Sequence, residues 1–348
     1  MNQIKLQFDG HSLITPKQIA DEFSVEKADN FESQLAAGKG EVALLLELAR
    51  QQFERNDNPT AIIDKITLSL HDLRGRLHQS VWLELVPLIQ NHPVAAYFLE
   101  DPLTRWSWDK PRGYSGDASL LDLIYRHECV SDMIAAASER GKALFEYTST
   151  APSSQANWDR RDILARFVDE VAAEKGPETE VLSIAAGHLR EVECSQAARN
   201  GGLKRYVALD QDPVSIGTIT RDYAKMGVEA VDGSVRQILA KRIEPGQFDL
   251  VYASGLYDYL VDKVAIKLTQ RALDMLKPGG TFLFANYSYP IVVDGYIETF
   301  MNWQLLLRSE ADMWNIINAC KDDGHEYETS VFFGKNRNIV YGVMKRKD

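Results

Sequence analysis

The segment VLSIAAGHLREVE at residues 181–193, followed by RYVALDQDP at 205–213, constrains the fold of this chain more than any other. A short apolar strand runs into a turn of small residues, Ala185, Ala186 and Gly187. A helical stretch follows, then a second strand that stops on an acid, Asp210. Strands joined in this way form half of a nucleotide-binding α/β unit, whose turn at the carboxyl edge of the sheet lets a cofactor approach the backbone. Asp210 lies 23 residues beyond Gly187, close to the roughly 20 expected of an acid that accepts hydrogen bonds from a ribose. The spacing therefore predicts a ribose-containing cofactor lying across these two strands.

Missing glycines narrow the choice of cofactor. A dinucleotide needs Gly-x-Gly-x-x-Gly so that a helix N-terminus can hold its pyrophosphate. Here Ala185 and Arg190 occupy two of those positions, which disfavours a dehydrogenase. Further along come VEAVDGS at 228–234, FDLVYASGLYDYL at 248–260, a helical stretch, and LKPGGTFLFANY at 276–287. In this order the elements over residues 160–348 resemble the class I S-adenosylmethionine-dependent methyltransferases. The resemblance implies a Rossmann-like α/β core, with a mostly parallel seven-stranded sheet and helices on both faces, and S-adenosyl-L-methionine as cofactor. The family usually carries an acid where this chain has Ser183, and glycine where it has Ala185. The methionyl ammonium would then be held by residues from elsewhere, and a regulatory module that binds the cofactor without catalysis stays open as an alternative.

Ahead of that core, residues 42–55, 62–90 and 117–137 carry apolar side chains at helical spacing, for example Ile66, Leu70, Leu73 and Leu77. A short β-hairpin is expected in the first 25 residues. The polar run TSTAPSSQAN at 148–157 marks a boundary between a mainly helical lid or substrate domain, 1–150, and the core, 151–348. Within the helical part, Pro111, Gly113 and Gly116 predict an irregular loop carrying Arg112 and Tyr114, and Asp117 is placed to cap the next helix. Arg112 suits a carboxylate and Tyr114 a ring face, and both are expected among the cofactor-binding residues. The segments KPRGYSGD at 110–117, LSIAAGHLRE at 182–191, SGLYDYL at 254–260 and NWQLLLRSEADM at 302–313 together look like a bacterial methyltransferase family. Its members are labelled as making 3-hydroxypalmitic acid methyl ester, an extracellular signal. That resemblance implies methylation of a hydroxy fatty acid carboxylate. The alternative within the enzyme class is O- or N-methylation of a secondary metabolite.

Composition excludes other classes. A net charge of −11 disfavours nucleic acid as a partner, because phosphate backbones are held by Lys and Arg. There is no signal sequence and no run approaching 18 apolar residues, so a cytoplasmic protein without membrane insertion is expected. Its partner would be a small-molecule acceptor. The apolar faces of the N-terminal helices would serve equally as a lid or as a homodimer interface. Cys129, Cys194 and Cys320 are three in number and widely spaced, which suits reduced thiols and predicts no metal site.

The resemblance lets each residue be given a role. Ala185, Ala186 and Gly187 would pass beneath the methionyl and ribose portions, where larger side chains would intrude. Asp210 would accept from the ribose, with Gln211 beside the adenine and Asp232, Gly233 and Ser234 at its amino group. Ser254 and Gly255 would line the mouth of methyl transfer. Tyr257 and Asp258 follow it toward the acceptor. His188 would be a neutral base if a helix N-terminus beside it lowered its pKa. Arg308 reads as an ion-pair residue.

Overall fold

The structure, a computed structural model, describes residues 27–321 and 324–347. The hairpin expected near the N-terminus lies outside them. Its described residues fall into two compact units, residues 27–155 with 291–304, and the remainder.

The second unit contains a seven-stranded sheet of order β3-β2-β1-β4-β5-β7-β6. The strands are β1 (Glu180–Ile184), β2 (Arg205–Asp210), β3 (Val228–Asp232), β4 (Phe248–Ala253), β5 (Leu276–Tyr287), β6 (Tyr327–Phe333) and β7 (Ile339–Arg346). The first five are parallel, and β7 runs antiparallel between β5 and β6. Parallel strands are covered on both faces and so read as near-continuous apolar runs. Val207-Ala208-Leu209 of β2 and Leu250-Val251-Tyr252-Ala253 of β4 are buried in this way. The helices Asp262–Asp274 and Glu310–Asn318 pack Leu268, Ala272, Ile316 and Ile317 into the same core as Val251, Phe282 and Phe284.

The Lys277-Pro278-Gly279-Gly280 signal proves to be a bulged entry into β5. Phe248 pairs with Leu276, but Leu250 pairs with Thr281, so the intervening residues loop out of register. Gly279 has φ +68°, and a Cβ on Gly280 would stand 2.9 Å from the Phe248 carbonyl oxygen. Both positions thus require glycine.

The first unit is helical, with its main helices at Phe31–Glu54, Pro59–Arg76, Gln79–Gln90, Pro102–Asp109, Ala118–Ile124 and Glu139–Thr150. The single helix expected over 62–90 is two. Leu77 turns extended, and the His78 side chain accepts the Ser80 N–H to cap a new start. Likewise 117–137 is interrupted by a left-handed Arg126 and a 3-10 turn at Glu128–Val130. The polar run at 148–157 is no irregular linker, since one helix ends at Thr150 and another spans Pro152–Lys175. Serines, threonines and a proline occur readily in a helix's terminal turns.

Residues 291–304, assigned from sequence to the core domain, group instead with the helical unit. Their helix Asp294–Thr299 presents two buried carboxylates. Asp294 meets His71 at 2.7 Å and Arg74 at 3.0 Å, and Glu298 meets Arg74 at 2.8 Å. The Tyr296 and Phe300 rings pack on Phe98, with centroids 5.7 and 4.6 Å away. Among the described residues, no helix is long and apolar enough to cross a membrane.

Candidate active site

The parallel strands deliver most of the expected residues to one edge of the sheet, at the carboxyl ends of β1, β2, β3 and β4. The turn after β1 is unusual in its backbone. Ala185, Gly187 and Leu189 are left-handed, with φ of +55°, +58° and +52°. For the two residues with a Cβ this costs on the order of 1–3 kcal/mol each, and such strain collects at functional sites.

The neighbouring strand holds the turn in place. Ala186 N–H donates to the Leu209 carbonyl at 3.1 Å, and Gly187 N–H donates to Asp210 Oδ2 at 2.7 Å. Asp210 Oδ1 accepts the Asp212 N–H at 2.8 Å, while its backbone carbonyl accepts from Gly233 at 2.9 Å. Asp210 is thus the hub that fixes the β1 turn, the β2 turn and the β3 turn to one another. Asp212 caps the helix Pro213–Tyr223, and Gln211 lies between the two acids. Asp232 is Asp210's register partner on β3 and is exposed.

Some of the expected residues have local structural tasks. Ser234 and Gln237 form a capping box that starts the helix Val235–Leu239. Gly233 packs closely on Ile243, whose Cδ1 would have to shift to admit a Cβ there. His188 is buried, but the helix N-terminus expected beside it is not there. Leu189 is left-handed, Arg190–Glu193 is a 3-10 turn, and the first α-helix is the single turn Gln196–Arg199. Left-handed residues at the alternate positions 185, 187 and 189 keep this segment from continuing as an α-helix.

Tyr257 points inward. Its hydroxyl bonds Thr269 Oγ1 at 2.8 Å and its ring packs 4.6 Å from Phe284, which gives it a packing task in the core. Asp258 is different. It is 2% exposed, its Oδ1 accepts the Tyr287 N–H at 2.6 Å, and burial pushes its pKa up to about 6 against the pull of Arg160. A buried carboxyl with a shifted pKa and a specific charge partner is a signature of functional sites.

Arg112 and Tyr114 belong to the helical unit, in a loop set by left-handed Lys110, Gly113 and Gly116. Arg112 donates to Ser119 Oγ at 2.7 Å. Asp117 caps the next helix through Leu120 N–H and accepts the Trp106 indole N–H at 3.0 Å.

Arg160 was not singled out by the sequence. It is 3% exposed, donates to the Ser254 carbonyl at 3.1 Å, and its Nη2 lies 3.8 Å from where a Gly255 Cβ would be. Arg308, by contrast, is a structural tie. It donates to the Tyr257 carbonyl at 2.6 Å and to Asn286 Oδ1 at 2.5 Å, and pairs with Asp262 at 2.9 Å.

Around Ser183 lies a second group that the sequence did not announce. Tyr252 on β4 is Ser183's register partner. Its hydroxyl donates to Glu191 Oε1 at 2.6 Å and bonds the Tyr206 hydroxyl at 2.5 Å. Burial raises the Glu191 carboxyl, and raises both tyrosines well above their ordinary value. The acid missing from β1 at Ser183 is therefore matched by an acid eight residues further on, Glu191, tied back through a tyrosine. Tyrosines inside otherwise apolar strands, at 206 and 252, were the available signal.

Residues 183–284 match the family model of a methyltransferase domain. Over the longer chain the likeness to solved structures is one of fold. A possible exported protein from Bordetella parapertussis shares 16% identity, with 89% of this chain and 97% of that one covered and a TM-score of 0.53. Magnesium protoporphyrin IX methyltransferase from Synechocystis PCC 6803, with bound S-adenosylhomocysteine, shares 11% identity over 67% of this chain and 100% of that one, at a TM-score of 0.43. An N-methyltransferase from Bradyrhizobium japonicum WM9, with the same molecule bound, shares 14% over 62% and 96%, at 0.39. Comparison with proteins of curated function gives no match.

Sheet order, bulged β5 and the matched domain define a class I methyltransferase fold. The protein is an S-adenosylmethionine-dependent methyltransferase. The donor set suits that cofactor. Acids end the neighbouring strands β2 and β3, which matches hydroxyl and amine donors, and the segment after β1 offers no glycine-rich helix start for a pyrophosphate.

Proposed function

We propose that the enzyme methylates a small-molecule carboxylate to a methyl ester, with a hydroxy fatty acid as the acceptor class. The observation that carries this reading is Arg160, a buried guanidinium tied to the Ser254 carbonyl at the end of β4. A planar cation in a dry site is a strong partner for a carboxylate. When bound, the cofactor supplies an electrophilic methyl group on its sulfonium. The 185–187 turn, Asp210, Gln211 and Asp232 would hold its methionyl and nucleoside parts, with Glu191 as the acid nearest in sequence to the methionyl turn. Arg160 orients the acceptor oxygen beside Ser254 and Gly255. Methyl transfer is an in-line displacement, so alignment and exclusion of water provide most of what the protein adds. A carboxylate is already ionised at neutral pH and needs no base.

A second reading rests on Asp258. With its pKa near 6 it is ionised at neutral pH and suited to take a proton from a hydroxyl or ammonium acceptor. One assay separates the two: transfer of labelled methyl to 3-hydroxy fatty acids, with the products tested for release by mild alkali. Under the ester reading, the label is alkali-labile. Arg160→Met then raises KM for the acid at least about tenfold, the loss of one charged hydrogen bond, with S-adenosylmethionine binding unchanged. Asp258→Asn keeps most of kcat. Alkali-stable products, with activity lost in Asp258→Asn, would replace the ester reading by the second one.

A further inference from the structure

We propose that Asp122, His127 and Cys129 form a binding site for a thiophilic divalent cation, zinc by its chemistry, on the helical unit and made of residues with no role assigned in methyl transfer. In sequence the three residues look unrelated, and the spacing Asp-x4-His-x-Cys matches no zinc pattern of paired cysteines and histidines. The fold brings them together. Asp122 sits near the C-terminal end of the helix Ala118–Ile124. Left-handed Arg126 then reverses the chain, His127 N–H donates to the Asp122 carbonyl at 2.9 Å, and the 3-10 turn Glu128–Val130 begins. In that turn His127 Nδ1 accepts the Cys129 N–H at 3.2 Å, so the imidazole and the thiol are fixed side by side.

One ligand atom from each residue lies within 4.8 Å of the other two, and Cys129 Sγ is 3.2 Å from Asp122 Oδ2. Around tetrahedral zinc, with Zn–S about 2.3 Å and Zn–O about 2.1 Å, the sulfur and oxygen ligands stand about 3.6 Å apart. The sulfur–oxygen separation is already within about half an ångström of that value, and small side-chain rotations bring the set to it. Charge agrees as well. Asp122 is 1% exposed, where a lone charge would be penalised, and a thiolate, a carboxylate and a divalent cation sum to zero, while the exposed Cys129 leaves the ion a path from solvent. Binding forms a metal–sulfur bond and releases the Cys129 thiol proton to solvent. Three protein ligands leave the fourth position of the ion to water. Cys194 serves as an internal control, since it is also exposed and is absent from this cluster.

The test uses the full chain, stripped with a chelator and titrated with cobalt(II) as the probe, then with zinc against a chromogenic chelator. The expected result is one cobalt per chain, with intense tetrahedral ligand-field bands and a thiolate-to-cobalt charge-transfer band displaced by zinc. Cys129→Ser should abolish the charge-transfer band and weaken binding at least about 100-fold, beyond the loss typical of changing a ligand's supporting partner. Cys194→Ser should bind as the parent does. His127→Asn keeps a capping side chain for the turn and should also weaken binding, with circular dichroism showing that each variant is folded. Absence of stoichiometric binding to the folded parent, or equal binding by Cys129→Ser and Cys194→Ser, would overturn the proposal.

Discussion

Replacing Asp210 by Asn tests whether this carboxylate fixes the cofactor turn. Asp210 is 7% exposed and receives two backbone N–H groups, from Gly187 at 2.7 Å and from Asp212 at 2.8 Å. An amide keeps one acceptor oxygen and turns an NH2 group toward the other N–H. One charge-assisted bond is lost, worth about 1.5–3 kcal/mol, and a buried donor is left facing another donor. The strained Ala185 and Leu189 conformations then lose part of what holds them. A loss of about 2 kcal/mol corresponds to roughly 30-fold in a dissociation constant. Calorimetric titration with S-adenosylhomocysteine should therefore show binding weakened about 10- to 100-fold in Asp210→Asn and more in Asp210→Ala, which loses both bonds. Urea denaturation should show both variants still folding cooperatively. Affinity within about threefold of the parent in both variants would refute the reasoning, because neither the proposed ribose contact nor the support of the turn would then matter.

Two further predictions concern stability. Asp101 is fully buried, and burial raises its carboxyl from the ordinary 3.8 to about 6. The folded chain therefore binds more protons than the unfolded chain between those values, so stability falls as pH rises through that window, by up to about 3 kcal/mol, and is level above it. Asp101→Asn preserves an acceptor for the helix start at Pro102 and should flatten that part of the profile, read from urea midpoints at several pH values. Gly342 on β7 faces Phe284, where a Cβ would lie 2.4 Å from the ring. Gly342→Ala should destabilise the core by about 1–3 kcal/mol through overpacking, and an unchanged thermal midpoint would contradict it.

Much of the core was legible because its physics is local. β2 and β4 are apolar runs ended by an acid and by small residues, and β5 is an apolar run announced by Pro278-Gly279-Gly280; such runs have few alternatives in a parallel sheet. The loop at Lys110–Gly116 and the Asp117 cap were legible for a similar reason, since glycine and a capping acid act over three or four residues. What failed depended on distant partners. The break at Leu77-His78 lies inside an unbroken apolar period, and only the new cap reveals it. Nothing in the spacing shows that Tyr257 turns its ring to Phe284 while Asp258 turns back to Tyr287. Arg160 sits in a polar helical stretch, Trp158-Asp159-Arg160-Arg161-Asp162, in which burial singles out one arginine. Cys129 gains its neighbours only through the reversal at Arg126.

The placement of residues 291–304 in the helical unit sets an order of events during synthesis. When residues 27–155 have left the ribosome, the carboxylates that meet His71 and Arg74 do not yet exist, for they lie 223 and 220 residues downstream. The aromatic surface of Phe98 waits equally long for Tyr296 and Phe300. The helical unit can therefore close only after the five parallel strands have emerged, and a nascent chain must carry an incomplete first unit while the second is being made. A gene cut between the two would leave each fragment with an apolar face that its missing portion was meant to cover.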